Sequence, residues 1–99
     1  MSAQSRGAAQ ESKMVTPSRR AVSRIVGGQA LILDANQDEI RQLNTVGSFL
    51  WSLILESPHQ ELSLLEKMMD EFEVTREVAS ADLQSFLEEL ESLGLIERA

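Results

Sequence analysis

The sequence predicts an α+β domain in which three short antiparallel strands precede three helices, and three observations carry that reading. Gly27-Gly28 separates two apolar-rich extended stretches, and paired glycines supply the positive backbone angles of a tight hairpin turn. Leu43 to Leu55 then joins a strand end directly to a capped helix: Asn44 or Thr45 can accept from a free backbone amide, and Val46, Phe49, Leu50, Leu53 and Ile54 recur at helical spacing. Two further stripes of that period follow, and the second stops at Gly94.

Taken in order, residues 1–16 are rich in Ser, Ala, Gln and Gly, with almost no large apolar side chains. They cannot bury enough surface to offset the entropy of ordering, so they are expected to form a disordered tail, leaving residues 17–99 as one domain. Ala21–Val26 is the first strand. Gln29–Leu33 is apolar on both faces, as the middle strand of a small sheet would be. Asp34 to Asp38 is a polar stretch of turn formers. In the third strand, Glu39–Leu43, Ile40 is flanked by Glu39 and Arg41, and the strand lies at an edge with the backbone groups of one side unpaired.

Pro58 and its neighbours interrupt the pattern after the first helix. A second helix from about Glu61 to Phe72 sets Leu62, Leu65, Met68, Met69 and Phe72 on one face, and Glu73 to Ala79 is a connection. Ser80 is the N-cap of the third helix, with Asp82 in its first turn and Leu83, Phe86, Leu87, Leu90 and Leu93 in a continuous stripe. Gly94 ends that helix by turning left-handed, so that Leu95 and Ile96 fold back on the core. Trp51, off the main stripe of the first helix, either fills the gap between helix and sheet or stands at an interface where a rigid aromatic contributes strongly. Met68-Met69 reads as core filler and His59 as an exposed loop residue.

A 99-residue chain without cysteine has room for one small domain and can form neither a disulfide framework nor a thiolate metal site, and its single histidine cannot build an imidazole cluster. There is no Gly-rich phosphate loop and no nucleophile paired with His59, and adjacent acids such as Glu88-Glu89 or Asp70-Glu71 point in different directions on a helix. The chain is therefore read as non-enzymatic, with no cofactor and no metal. No apolar run approaches the ~20 residues of a membrane span, and Met1 to Lys13 lacks the apolar block of a secretory signal, so no membrane partner is expected and the compartment is cytoplasmic. Charge is uneven: residues 1–34 carry +3 and residues 35–99 carry −10, within a net −7. That acidic helical part repels phosphates, and it serves either solubility or the attraction of a basic partner.

The passage Glu39-Ile40-Arg41-Gln42-Leu43-Asn44, running through Gly47 into an apolar helix with Trp51, resembles the PqqD-like family. These are the pyrroloquinoline quinone biosynthesis protein D proteins, also called precursor-peptide recognition elements. The likeness extends from about Val22 to Ile96, through Gln29-Ala30-Leu31-Ile32-Leu33-Asp34 and the closing Phe86 to Ile96, and rests on order and spacing. It implies a winged helix-turn-helix fold and a non-catalytic adaptor that binds the leader of a ribosomally synthesised precursor peptide by β-strand addition. The adaptor presents that peptide to a modifying enzyme, often a radical S-adenosylmethionine enzyme. Carried over by position, Ile40, Arg41, Gln42 and Leu43 form the strand wall of the peptide groove. Asp82, Ser85, Phe86 and Glu89 form the helix wall, Phe86 being either an apolar contact or ordinary core, and the two acids favouring a basic peptide.

Two other functions compete. Winged helices also serve nucleic-acid-binding regulators, but the expected third helix presents Asp82, Glu88, Glu89 and Glu91 with no Lys or Arg, so no nucleic acid is expected. An assembly subunit would instead use the edge strand or the acidic helices to form a homodimer.

Overall fold

A computed structural model describes residues 13–34 and 38–99. Along the chain run β1 (Met14–Pro17), β2 (Val22–Val26), β3 (Gln29–Asp34), β4 (Glu39–Gln42), α1 (Thr45–Glu56), β5 (His59–Gln60), α2 (Glu61–Glu71), α3 (Arg76–Ser92) and β6 (Ile96–Arg98). The α+β class and the expected order appear in β2 to β4, an antiparallel sheet, followed by α1 to α3.

The β2–β3 hairpin forms because Gly27 and Gly28 sit at φ +60° and +83°, angles that match the twist of the flanking strands across a tight turn. Val26 pairs with Gln29, and the register continues to Val22 opposite Leu33. On the other side of β3, Ile32 pairs with Arg41 and Leu33 with Ile40. β3 is thus the middle strand, but only one of its faces is sealed: Ala30 and Ile32 are fully buried, while Leu31 and Leu33 keep part of their surface exposed. The turn expected over Asp34 to Asp38 lies partly outside the described residues; Asp38 itself takes φ +56°.

At the end of β4 a side chain completes the ladder. Leu43 N–H donates to the Ala30 carbonyl at 2.9 Å, but the return bond is rerouted. Ala30 N–H donates to Ser48 Oγ at 2.8 Å, and that hydroxyl donates to the Leu43 carbonyl at 3.2 Å. Ser48, 3% exposed, therefore ties the first turn of α1 to both strands. Ser48→Ala orphans a buried donor and weakens the hold on a carbonyl, and should cost about 1–3 kcal/mol in urea denaturation.

A second sheet, in the order β5-β1-β6, has no counterpart in the sequence reading. Its central strand starts at Met14, inside the stretch expected to be disordered: Val15 is fully buried, and Met14 and Ala99 exchange backbone hydrogen bonds at 3.0 Å. Ordered structure therefore begins ahead of residue 17, and residues 1–12 lie outside the described residues. His59, read as an exposed loop residue, is half-buried in β5 opposite Val15, with Nδ1 2.8 Å from the Ser57 carbonyl.

Two helices differ in detail from the expectation. α3 is capped by Thr75 rather than Ser80, the Thr75 hydroxyl accepting from Val78 N–H at 3.2 Å, so most of the connection expected over 73–79 is helical. Both residues offer a cap; Ala79, fully buried one turn before Leu83, extends the apolar stripe backward and decides for the earlier one. α2 is rotated, with Leu64 fully buried and Leu62 47% exposed, because Glu61, Leu64, Leu65 and Met68 face inward. Gly94, at φ +76°, ends α3 as predicted: its N–H reaches the Glu91 carbonyl at 3.0 Å and Leu95 N–H the Leu90 carbonyl at 2.9 Å. Leu95 and Ile96 are then buried, as expected, with Ile96 opening β6.

The inward turn of Glu61 has a partner. Its carboxylate accepts from Arg98 at 3.1 Å and from Gln84 at 3.2 Å, while Arg98 also bonds Glu91 at 2.6 Å. Burial strips water from the Arg98 guanidinium and would lower its pKa, but hydrogen bonds and charge from Glu91 and Glu61 outweigh this and hold it above the ordinary arginine value. One cation thus fastens β6 to α2 and α3. Arg98→Ala should destabilise the domain by about 2 kcal/mol in urea, below the ~3–5 kcal/mol of a fully enclosed pair because some water contact remains.

Trp51 is fully buried, so the core reading of this residue holds, and it joins Leu50, Ile54, Leu64, Leu83 and Leu87 in one cluster. Beside it Phe49 and Phe72 pack edge to face at 5.4 Å.

Candidate functional site

The hydrogen-bond register of β4 determines what its free edge offers. Leu43 N–H points back to Ala30, and antiparallel bonding alternates, so Arg41 and Glu39 also turn their backbone groups toward β3. Ile40 and Gln42 therefore direct their N–H and C=O away from the sheet, and among the described residues no strand pairs with that edge.

Beside this edge runs α3. Two adjoining hollows of about 220 and 330 Å³ open along α3, the first against the end of β4 and the second against the start of α1 and Met68 of α2. The first is bordered by Arg41, Gln42, Leu43, Phe86, Glu89 and Leu90, and the second by Asp82, Ser85, Phe86, Glu89, Leu50 and Met68, with Asn44 and Gly47 common to both. Asp82, Ser85, Phe86 and Glu89 share a flank because their spacing of three, four and seven places them one above another on a helix. Phe86 is half-buried: its ring belongs to the core cluster's margin and to the cleft wall at once.

Seven of the eight residues assigned to the groove thus border one cleft, Gln42 only at the strand edge because its side chain turns outward to Gln29, and Ile40 does not. Its side chain lies on the outer face of the sheet, with Val22, Leu31 and Leu33. Strand alternation is the reason: Arg41 and Leu43 turn toward the helices, so their neighbours turn away.

The floor of the cleft is the start of α1, which the site assignment missed. Asn44 caps that helix, its side chain accepting from Gly47 N–H at 2.8 Å. A Cβ on Gly47 would stand 3.2 Å from both Asn44 Oδ1 and the Phe86 ring, so glycine is what lets that ring lie against the helix start. The signal was present in the order Leu43-Asn44-Thr45-Val46-Gly47, where a glycine in a first helical turn costs stability without a packing reason.

Charge spans the cleft mouth. Arg41 reaches Glu89 on α3 at 3.4 Å and Glu39 on its own strand at 3.8 Å. With Glu89 61% exposed, such a pair is worth about 0–1 kcal/mol. Arg41 Nε is enclosed and has no hydrogen-bond partner among the described residues. Asp82 and Glu89 together outweigh Arg41, leaving the cleft net acidic. Among the described residues no cluster of His, Cys, Asp and Glu could hold a metal ion, and no helix is long and apolar enough to cross a membrane.

Residues 29–96, from β3 to β6 and so including both cleft walls, match the family model of Coenzyme PQQ synthesis protein D (PqqD). The chain belongs to the PqqD family. Two solved structures have a similar fold. TbiB1, solved in complex with the TbiA(beta) leader peptide, is 27% identical with a TM-score of 0.76, over 83% of this chain and 94% of that one. A lasso peptide synthetase B1, complexed with the leader peptide, is 19% identical with a TM-score of 0.72, over 84% and 96% of the two chains. At that identity the second likeness concerns the fold alone. The curated proteins searched contain no match.

Proposed function

We propose that this PqqD-family chain is a non-catalytic adaptor that holds the leader of a ribosomally made precursor peptide in the cleft between β4 and α3. The observation that carries this reading is the open edge of β4, where the backbone groups of Ile40 and Gln42 face outward beside a ready-made cleft. An extended peptide satisfies those groups as a fourth strand, and alternate side chains enter the cleft against Phe86, Asp82 and Glu89. Membership of the family and a solved relative bound to a leader peptide support the same guest.

Mechanistically the adaptor supplies proximity. Holding the leader raises the local concentration of the segment to be modified near the active site of a partner enzyme, so micromolar affinity, about −8 kcal/mol, suffices. The family resemblance favours a radical S-adenosylmethionine enzyme as that partner, and co-purification with the products of adjacent genes tests it. A nucleic-acid role fits the geometry poorly: the longer α3 adds Arg76, but Glu77, Asp82, Glu88, Glu89 and Glu91 still dominate it.

The test is a titration of the labelled chain with the leader of the precursor encoded beside its gene, followed by amide shifts. Shifts should concentrate in residues 39–43 and 82–89. Shifts confined to other elements reject the cleft, and absence of binding rejects the function.

A further inference from the structure

The polarity of β4 is reversed from that of an ordinary half-buried strand. Glu39 and Arg41 alternate toward the helices, whereas Ile40, its one large apolar side chain, points to the outer face and is 70% exposed. Across the sheet Ile40 is in register with Leu33, and Leu33 with Val22. These three side chains, 70%, 37% and 58% exposed, make an apolar row that stops at the open edge. With Arg24 and Leu31 they line a shallow outer hollow of about 330 Å³.

The same register dictates how a guest strand meets this row. Guest residues that bond to the outward backbone groups of Ile40 and Gln42 stand directly opposite them and send their side chains to the same outer face. The guest residue between them, opposite Arg41, faces the cleft. A peptide added to β4 is therefore read on both sides, and the cleft accounts for only one of them.

We propose that the outer face of β4 is a second recognition surface for the peptide, taking an apolar side chain at the guest position opposite Ile40. That side chain extends the row Val22–Leu33–Ile40 by a fourth member and covers an isoleucine that otherwise faces water. The neighbouring outer position, two residues along the guest, meets Gln42, whose amide is already turned to Gln29 at 2.7 Å and accommodates a polar partner. Positions of opposite parity enter the acidic cleft. This inference rests on the strand-addition reading above and adds a specificity rule to it: an apolar residue in the leader out of phase with those the cleft holds.

The chain has no cysteine, so single thiols placed in it are unique. The leader of the precursor encoded beside the gene, made as a series of single-cysteine peptides, is incubated with Ile40→Cys, Gln42→Cys and Ser85→Cys chains, and disulfides are located by mass spectrometry. Ile40→Cys should capture a leader position that is naturally apolar, Gln42→Cys the position two residues away, and Ser85→Cys positions of opposite parity. In parallel, Ile40→Ser should weaken binding of the unmodified leader about ten-fold in fluorescence anisotropy, with the amide spectrum of the free chain preserved. Capture by positions 40 and 85 of the same parity, or an Ile40→Ser chain that binds as well as the parent, overturns the outer surface while leaving strand addition standing. A parent chain that does not bind the leader overturns both.

Discussion

Replacing Gln42 by proline is expected to weaken leader binding at least about ten-fold while the domain stays folded. Gln42 N–H faces the open edge and takes no part in the ladder to β3, so its loss costs the free chain little. A guest strand added at that edge would lose a main-chain donor and meet a pyrrolidine ring where its own backbone would lie. Arg41→Pro supplies the contrast, because the Arg41 backbone is turned to Ile32 and its removal breaks the sheet itself. Anisotropy with a labelled leader measures the first effect, and urea denaturation of both chains measures the second. A folded Gln42→Pro chain with undiminished affinity would count directly against strand addition.

The largest stability effect is expected at Trp51. Fully buried in the core cluster, this residue should cost about 3–5 kcal/mol on replacement by alanine, enough to unfold much of a small domain at ambient temperature. Phenylalanine at the same position should cost only about 1–2 kcal/mol. The reason is specific to this site: the indole Nε1–H is buried and has no acceptor among the described residues, so removing it relieves an unsatisfied donor while part of the ring volume is kept. Paired urea titrations of the two variants give the difference. If Trp51→Phe proved as damaging as Trp51→Ala, the indole nitrogen would have an acceptor after all.

Both predictions turn on the same division of labour. α1 is the hub, its buried face carrying Leu50, Trp51 and Ile54 and its first turn carrying Asn44, Gly47 and Ser48 at the base of the cleft. The cleft is thus tied to the packed core through the Ser48 hydroxyl that bridges β3 and the end of β4. A guest strand would meet an edge already paired with β3 and fastened to α1, which would spare it part of the entropic cost of binding.

What the amino-acid order alone determined were features whose causes lie within a few residues of each other. The glycine pair at 27–28, the Asn44 cap and the left-handed stop at Gly94 each need only local backbone angles and one short hydrogen bond, and the flank Asp82, Ser85, Phe86 and Glu89 needs only helical spacing. Tertiary structure alone decided the small sheet, where Val15 finds its partners at His59 and Arg98, and with it the order of a segment whose composition argues for disorder. It also decided the rotation of α2, through a carboxylate that meets its arginine in β6, and the direction of Ile40, through a register set by β3. In each of these the deciding partner lies far along the chain or in another element, and which face of a segment is buried depends on surfaces that exist only after the rest has packed.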